Sequence, residues 1–327
     1  LFGIAANVLL AQNELPQDAF IKPLKIPTVF AGTFGELRSN HFHSGLDIKT
    51  QHRTGLEVVA SASGYVSRIK VSHYGYGKAL YITHPNGYTT VYGHLSKYGP
   101  AIEAYVKQKQ YDSENYEVEL FPNPDELVVT QGDLVAYSGN TGGSGGPHLH
   151  FEVRDKNERP MNAQLFGIQA PDHRDPILKD LVVYTLSDSS HVNQSQKRQE
   201  LRFTKQPDGT FLAEKIRAYG QIGFALGTID QQDGANNSNG IYSIETSFNG
   251  EKYLEVKMDQ FSFAETRYLN RMIDYELYEG DRKRVQKLFI ERNNPLSIFT
   301  YEKNKGVIDL TQNGNASVYT IKVKDIQ

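Results

Sequence analysis

Two histidine-containing segments, far apart in the sequence, carry the residue types that could bind a metal ion. The first reads NHFHSGLDIKT and contains His43 and Asp47, and the second reads GGPHLHFEVR and contains His148 and His150. A hydrolytic zinc site typically takes three nitrogen or oxygen ligands and keeps a fourth position open. The sequence contains no Cys, so any metal site depends on His and carboxylate ligands.

The second segment alternates in the manner of a β-strand. Residues two positions apart in a strand face the same side, so His148, His150 and Glu152 share one face and the intervening apolar residues share the other. The same alternation in YTTVYGHLS predicts that His94 lies near the end of a strand and shares a face with Tyr92. Three imidazoles are thus expected on rigid elements.

The first segment needs a bend before its two polar residues can meet. His43 and Asp47 are four positions apart, and an extended strand would separate their Cα atoms by ~13 Å. Ser44 and Gly45 between them are turn-forming residues. We therefore expect a bend at this pair, which would bring one imidazole and one carboxylate together.

Residue types alone suggest a three-ligand set made of His43, Asp47 and one histidine of the HLH pair. The other histidine of that pair, together with His94, would lie beside the open coordination position. Histidine suits proton transfer there because its unperturbed pKa is close to neutral. These arguments leave open which histidine of the pair binds the metal.

The three segments HFHSGLDIKT, GYTTVYGHLS and GDLVAYSGNTGGSGGPHLHFEVR resemble, in order and spacing, the signature segments of the lysostaphin-type (LytM-type) zinc endopeptidases that cut peptidoglycan cross-bridges. The resemblance covers residues 30–154, with an insertion, and does not extend to the C-terminal half. It implies a small antiparallel β core with the metal ion on an open sheet face.

The resemblance also implies a role for each motif residue. It makes His43, Asp47 and His150 the ligands of one Zn²⁺ ion and His94 and His148 the catalytic pair. The implied activity is a zinc-dependent endopeptidase that hydrolyses amide bonds in peptidoglycan peptide cross-links. The alternative is a noncatalytic or autoinhibited relative that binds cell wall or activates an amidase, although such relatives usually lack at least one of these five residues.

The length and composition are those of a globular protein with two domains. The chain has 327 residues, of which 39% are apolar and 22% charged, and its formal net charge is -3. This charge gives no reason to expect a nucleic-acid partner. The 20 Tyr and 16 Phe residues favour strands, because aromatic side chains pack well on pleated surfaces.

We predict a mainly β fold with two domains. A metallopeptidase domain at 23–169, with a lysostaphin-like antiparallel sheet, carries a helical insertion at 99–126, which is either a surface excursion or a lid. A C-terminal β-sandwich-like domain at 170–327 follows, because short alternating runs recur there. It is either a structural spacer or a binding or positioning module, with a regulatory protein as a possible partner. Its loop DQQDGANNSNG has oxygen donors without calcium-loop spacing and is interpreted as a hairpin connection.

The segment at 1–22 begins with LFGIAANVLLAQ, an apolar run of signal-peptide length that ends in small residues. We interpret it as a signal-peptide remnant or N-terminal tail, which predicts export to the periplasm or cell envelope. The alternative is a first strand or helix packed on the body. No other segment approaches the ~20 apolar residues of a membrane span, so no transmembrane span is expected in the mature chain.

Overall fold

A computed structural model of the protein describes residues 15, 16, 18–312, 314 and 316–326. Most of the predicted signal-like run, residues 1–14 and 17, lies outside this described part. Within it, no helix is both long and apolar enough to cross a membrane. Strands dominate over helices, which confirms the mainly β fold class.

Among its described residues, the N-terminal half contains one α-helix, α1, at Pro100–Ser113, and a 3-10 turn at Ala163–Phe166. Its strands among the described residues are β1 Phe30–Gly32, β2 Leu46–Lys49, β3 Glu57–Val59, β4 Gly64–Val71, β5 Lys78–Thr83, β6 Thr89–Gly93, β7 Lys97–Tyr98, β8 Val118–Leu120, β9 Val128–Val129, β10 Leu134–Tyr137, β11 His148–Arg154 and β12 Pro160–Met161.

An antiparallel sheet forms the centre of this half. Its strand order is β1-β2-β11-β6-β5-β4-β8, with β12 on the edge of β11 and β9 on that of β4, and a smaller sheet has the order β3-β10-β7. Strand β11 lies between β2 and β6, so the two histidine-containing segments are neighbours although they are distant in sequence. The predicted hairpin at Asn86-Gly87 joins β5 to β6.

The insertion folds as a helix followed by an extended return, as predicted. Helix α1 begins with Pro100, whose fixed φ and missing N–H suit a first helical position, and it ends where Glu114 adopts a left-handed φ of 50°. It buries Ile102 and Val106. Its return strand β8 pairs with β4, at the opposite end of the sheet from β2. This position favours a surface excursion over a lid.

The C-terminal half contains two larger sheets and short helices, as the alternating runs predict. Its elements among the described residues are β13 Ile177–Thr185, β14 His191–Val192, β15 Gln199–Glu200, β16 Phe203–Lys205, β17 Phe211–Ala213, β18 Ala218–Tyr219, β19 Gln221–Ile229, β20 Ser243–Phe248, β21 Glu251–Lys257, a 3-10 turn Thr266–Tyr268, α2 Leu269–Met272, α3 Tyr275–Asp281, β22 Val285–Lys287, β23 Phe299–Tyr301, a 3-10 turn Asn304–Gly306, β24 Ile308–Asp309 and β25 Tyr319–Lys324.

The two sheets of this half face each other. One has the order β15-β13-β19-β22, with β24 also on β19, and the other has the order β23-β21-β20-β25. Phe224 of β19 stacks on Tyr319 of β25 with ring centroids 4.4 Å apart, which joins the sheets through their inner faces. This contact between the sheets is what the predicted sandwich requires.

The C-terminal half packs directly against the segment that precedes the first metal-binding motif. Phe261 stacks on Phe34 with a centroid distance of 5.0 Å and contacts Phe42 at 5.4 Å. The Phe42 N–H also donates to the Thr266 hydroxyl at 2.8 Å. One continuous hydrophobic cluster includes buried side chains of both halves. The division into domains near residue 170 therefore stays a prediction.

Candidate metal centre

The pairing of β2 with β11 brings two of the predicted ligands together. Asp47 lies directly opposite His150 in the antiparallel register, and opposed residues of neighbouring strands project from the same face. On the other side of β11, His150 is opposite Gly93. A Cβ atom at position 93 would lie 3.2 Å from the Cβ of His150, so the glycine leaves room for the imidazole.

The predicted bend between His43 and Asp47 is present, and it lies at Gly45. The His43 Nε2 atom is 3.1 Å from the Asp47 Oδ1 atom. A Cβ atom at Gly45 would lie 2.4 Å from the carbonyl oxygen of Phe151, so only glycine lets the bend pass this closely over β11.

Three potential ligand atoms converge at this point. His43 Nε2 is 3.2 Å from His150 Nδ1, and both lie near Asp47 Oδ1, at 3.1 and 2.9 Å. The other ring nitrogen of each histidine faces an oxygen that accepts: His43 Nδ1 is 2.8 Å from the Thr33 carbonyl, and His150 Nε2 is 2.8 Å from the Glu152 carboxylate. These contacts place the imidazole hydrogens away from the centre.

The donor set fits a metal ion. Two imidazole lone pairs and a carboxylate oxygen face one another, an arrangement that requires a positive centre between them. Ligands held ~2.0–2.2 Å from a tetrahedral zinc ion lie roughly 3.3–3.6 Å apart. The observed separations of 2.9–3.2 Å differ by a few tenths of an ångström, which side-chain relaxation can supply.

The pKa shifts at the centre have the same electrostatic origin. Burial acts to lower the pKa of His150, but the carboxylates of Asp47 and Glu152 outweigh it and raise the pKa to about 9. Burial acts to raise the pKa of Asp47, yet the charge on His43 and hydrogen bonds from the surrounding histidines hold it well below its usual range. Both carboxylates favour a cation at this position, whether a proton or a metal ion.

The two predicted catalytic histidines lie beside this centre. The ring centroids of His94 and His148 are 4.7 Å apart, and that of His94 is 5.9 Å from His150. The Nδ1 atoms of His94 and His148 each lie 2.8 Å from a carbonyl oxygen, that of Thr141 and that of Gly146. The His94 ring thus presents Nε2 as an acceptor, whereas His148 Nε2 lies 3.4 Å from Asp47 Oδ1. Burial and the charge on His150 lower the pKa of His94 to about 4, so His94 is neutral near pH 7.

One expectation about His94 is wrong. The alternation predicted that His94 shares a face with Tyr92, but Tyr92 packs against Phe151 on the core side, whereas His94 faces the imidazoles of β11. Strand β6 ends at Gly93, and His94 has a left-handed φ of 58°. This turn ends the period-2 pattern and reverses the direction of the side chain.

Glu152 shares the face of the histidines, as its spacing predicts, and has a role that spacing does not reveal. It is fully buried and accepts hydrogen bonds from the Ser44 hydroxyl at 2.6 Å, from the Tyr76 hydroxyl and from His150. Arg154 Nε donates to its other carboxylate oxygen at 2.7 Å. This ion pair outweighs burial and holds the pKa of Glu152 well below its usual range. The carboxylate therefore fixes the orientation of the His150 ring.

Arg38 is a second residue that motif spacing did not reveal. Its Nη2 atom donates to the Asp47 Oδ2 atom at 2.9 Å and lies 3.2 Å from Glu36. The guanidinium thus hydrogen-bonds to Oδ2 of Asp47, and Oδ1 is left to bind the metal ion. The sequence signal was weak, because an arginine upstream of a loop has many possible partners.

The sequence profile of peptidase family M23 matches residues 41–111 and 125–163. The DD-carboxypeptidase/endopeptidase Mpg of Neisseria meningitidis serogroup B is 32% identical over 136 residues, which are 42% of this chain and 25% of that protein. The peptidoglycan DD-endopeptidase ShyB of Vibrio cholerae is 28% identical over 157 residues, which are 48% of this chain and 30% of that protein. The chain thus spans between a quarter and a third of the length of these two curated relatives.

Two solved structures are also similar. The catalytic domain of the prophage-encoded M23 protein EnpA from Enterococcus faecalis is 24% identical, with 46% of this chain and 98% of that chain covered and a TM-score of 0.34. A zinc-containing peptidase from Vibrio cholerae is 26% identical, with 47% of this chain and 41% of that chain covered and a TM-score of 0.34. The two ranges that the profile matches hold all five motif residues, and over these ranges the chain is similar to peptidase family M23.

Proposed function

We propose that the chain is a zinc-dependent endopeptidase that hydrolyses amide bonds in the peptide cross-links of peptidoglycan. The observation that carries this proposal is the convergence of His43 Nε2, Asp47 Oδ1 and His150 Nδ1 within 3.2 Å of one another. The names of the similar proteins, Mpg and ShyB, support a peptidase that acts on the cell wall.

In this proposal His43, Asp47 and His150 hold one Zn²⁺ ion per chain. When bound, zinc supplies Lewis-acid chemistry, because it polarises a carbonyl oxygen and makes water a stronger nucleophile near neutral pH. Calcium or magnesium fits less well, since those ions prefer sites built from oxygen alone.

His94 and His148 act on protons and on developing charge. Each ring is held by a hydrogen bond from Nδ1 to a backbone carbonyl, which leaves Nε2 to accept a proton from water or to donate one to the leaving amine. The Nε2 atom of His148 also lies 3.4 Å from Asp47 Oδ1, at the edge of the centre. A protonated imidazole beside the scissile bond also stabilises a developing oxyanion. The short distance between the rings lets one histidine act as base while the other stabilises charge.

The noncatalytic or autoinhibited alternative has weaker support. One candidate for covering the site, the insertion, pairs with β4 at the far end of the sheet from β2. The other candidate, the N-terminal segment, lies mostly outside the described residues. All five motif residues are retained, which favours catalysis.

We also propose that the protein acts outside the cytoplasm, in the periplasm or cell envelope, where peptidoglycan is found. The similarity to cell-wall peptidases supports this location. The C-terminal half would hold the loop that carries His43, through the contacts of Phe261 with Phe34 and Phe42. It could bind a regulatory protein on its outer surface.

Digestion of purified cross-linked muropeptides tests the proposal. The zinc-loaded protein should release peptide fragments whose masses identify the cleaved bond, the chelated protein should be inactive, and zinc should restore activity. A zinc-loaded, folded protein that leaves all cross-linked muropeptides intact would contradict the proposed enzyme and favour the noncatalytic alternative.

A further inference from the structure

A second group of potential metal ligands lies away from the peptidase centre. Asp172, Asp230 and Asp325 each offer a carboxylate oxygen, and these three oxygens lie within 4.8 Å of one another. Asp172 lies in the connection between the two halves, before β13, whereas Asp230 directly follows β19 and Asp325 directly follows β25. The group therefore joins the connection to one strand from each sheet of the sandwich.

The environment of Asp230 distinguishes this group from an ordinary acidic patch. Asp230 is only 3% exposed, and its Oδ1 atom is shielded from solvent without a hydrogen-bond partner among the described residues. Asp325 Oδ2 is likewise shielded and unpartnered. A buried carboxylate oxygen without a partner is costly unless it is protonated or coordinates a cation.

The remaining contacts show which oxygens are available. Asp172 Oδ1 accepts from the Arg174 backbone N–H, and Asp325 Oδ1 accepts from the backbone N–H of Ile326. The Arg174 guanidinium, the nearby cation, is directed to the Gln231 side chain and the Ala235 carbonyl. The three carboxylates have no ion pair within the described part of the chain. Asp230 Oδ1 and Asp325 Oδ2 therefore remain free to bind a ligand, and a carboxylate oxygen of Asp172 lies beside them.

We propose that Asp172, Asp230 and Asp325 form a calcium site that ties the two sheets of the sandwich to the connection from the peptidase half. An oxygen-only donor set suits a hard cation and not the zinc of the first centre. Calcium accepts carboxylate oxygens in a flexible geometry, whereas magnesium requires a near-ideal octahedral arrangement and usually retains several waters.

Gln232 connects this site to the peptidase half. It lies two residues after Asp230, is buried, and accepts the Phe30 backbone N–H of β1 through Oε1 at 2.7 Å. An ion that fixes Asp230 would also fix this contact with the edge strand next to β2. The loop DQQDGANNSNG, interpreted from sequence as a simple hairpin connection, would thus supply one ligand of a site whose other ligands are distant in sequence.

Calcium titration of the zinc-loaded full chain, freed of calcium beforehand, tests the proposal. We expect binding of one Ca²⁺ per chain by calorimetry and a rise in Tm with added Ca²⁺. Asp230→Asn should weaken binding by more than tenfold and abolish the rise in Tm. Asp188→Asn, an exposed acidic residue in another turn, should behave like the wild type.

Asp47→Ala, compared with the wild type when both are free of zinc, should retain the calcium response, because it changes only the first centre. Asp325→Asn provides a second ligand variant if Asp230→Asn does not fold. A wild-type Tm that millimolar Ca²⁺ leaves unchanged would overturn the proposal, as would a ligand variant that keeps the full calcium response. A response to Mg²⁺ without one to Ca²⁺ would contradict the assigned ion. None of these outcomes depends on peptidase activity.

Discussion

Each imidazole at the peptidase centre is fixed by a hydrogen bond on the side away from the centre. His43 contacts the Thr33 carbonyl, His94 the Thr141 carbonyl and His150 the Glu152 carboxylate, each at 2.8 Å. A backbone carbonyl can only accept, so this contact assigns the hydrogen of the neutral ring to Nδ1 in His43 and in His94. Preorganisation of this kind reduces the cost of aligning ligands when metal binds.

The different positions of Asp47 and His148 predict different consequences of removing them. Asp47→Ala removes a ligand and should reduce zinc affinity by on the order of 100-fold or more. His148→Ala should retain zinc but lower the hydrolysis rate by about 10²–10⁴-fold. Zinc content by mass spectrometry and peptide release measure the two effects. His73→Ala, an exposed residue that contacts Glu117, is the control. Undiminished activity of His148→Ala would refute its catalytic role.

Glu152→Gln tests the role of the buried carboxylate behind His150. The substitution removes the charge that Arg154 faces and presents an amide group to neighbours that are donors, so the His150 ring should lose its fixed orientation. We expect zinc affinity to fall by about 10–100-fold. Glu158→Gln is a matched control, because Glu158 pairs with the same Arg154 at 3.2 Å but is exposed. Equal zinc affinities for both variants would argue against a positioning role.

Strands β2 and β11 determine the site at the level of elements, because their register places Asp47 opposite His150. The bend at Gly45 then lets the preceding loop return over β11. Close approach of backbone to backbone is possible only without a side chain at this position.

Gly45→Ala should therefore destabilise the protein. The added methyl group would meet the Phe151 carbonyl oxygen at 2.4 Å and the Glu152 Cγ atom at 2.8 Å. We expect a loss of ~1–3 kcal/mol in the free energy of unfolding, measured by urea denaturation.

Gly280→Ala is the matched control for this substitution. Its added Cβ meets nothing within 4 Å, and it lies in helix α3. Alanine is the better helix former by up to ~1 kcal/mol, so this variant should be neutral or slightly more stable. Equal stability of Gly45→Ala and the wild type would show that the loop can move away from β11.

Local sequence patterns predicted those elements that depend on local interactions. The alternation in HLHFEV predicted β11, Asn-Gly predicted the β5–β6 hairpin, and Ser44-Gly45 predicted the bend. The side-chain direction of His94 was not predictable, because a left-handed residue at a strand end depends on the tertiary contact with Thr141. Alternation holds only while the strand continues.

At the scale of the whole molecule, contacts distant in sequence were beyond prediction. Spacing alone could not rank His148 against His150, and the resemblance to a family supplied that order. The packing of Phe261 on Phe34 and Phe42 likewise joins segments that share no local pattern. The cluster of Asp172, Asp230 and Asp325 arises in the same way, from three separate chain segments.

The aspartate cluster predicts how stability depends on pH in the calcium-free protein. Burial and Asp172 raise the pKa of Asp230 to about 6, and burial and the other two carboxylates raise that of Asp325 to about 7. Both pKa values lie above the ordinary value of 3.8, so the folded protein holds these two protons more tightly than the unfolded chain does. The contribution of the two groups to the free energy of unfolding is therefore fully present below about pH 4 and is lost as pH rises through 6 to 7.

The Tm of the wild type in chelator should therefore fall between pH 5 and pH 8 relative to that of Asp230→Asn, which lacks one of these carboxylates. Differential scanning calorimetry of both proteins, zinc-loaded and calcium-free, measures this difference. Parallel Tm profiles for the two proteins across this range would contradict the electrostatic account of the cluster.

The central claim is that two histidines and an aspartate from separate segments bind one metal ion. X-ray diffraction from crystals of the zinc-loaded protein, recorded at the zinc absorption edge, tests it most directly. We predict one strong anomalous peak at roughly 2.0–2.2 Å from His43 Nε2, Asp47 Oδ1 and His150 Nδ1. A zinc peak elsewhere, or these three atoms left without a metal in fully loaded crystals, would contradict the claim.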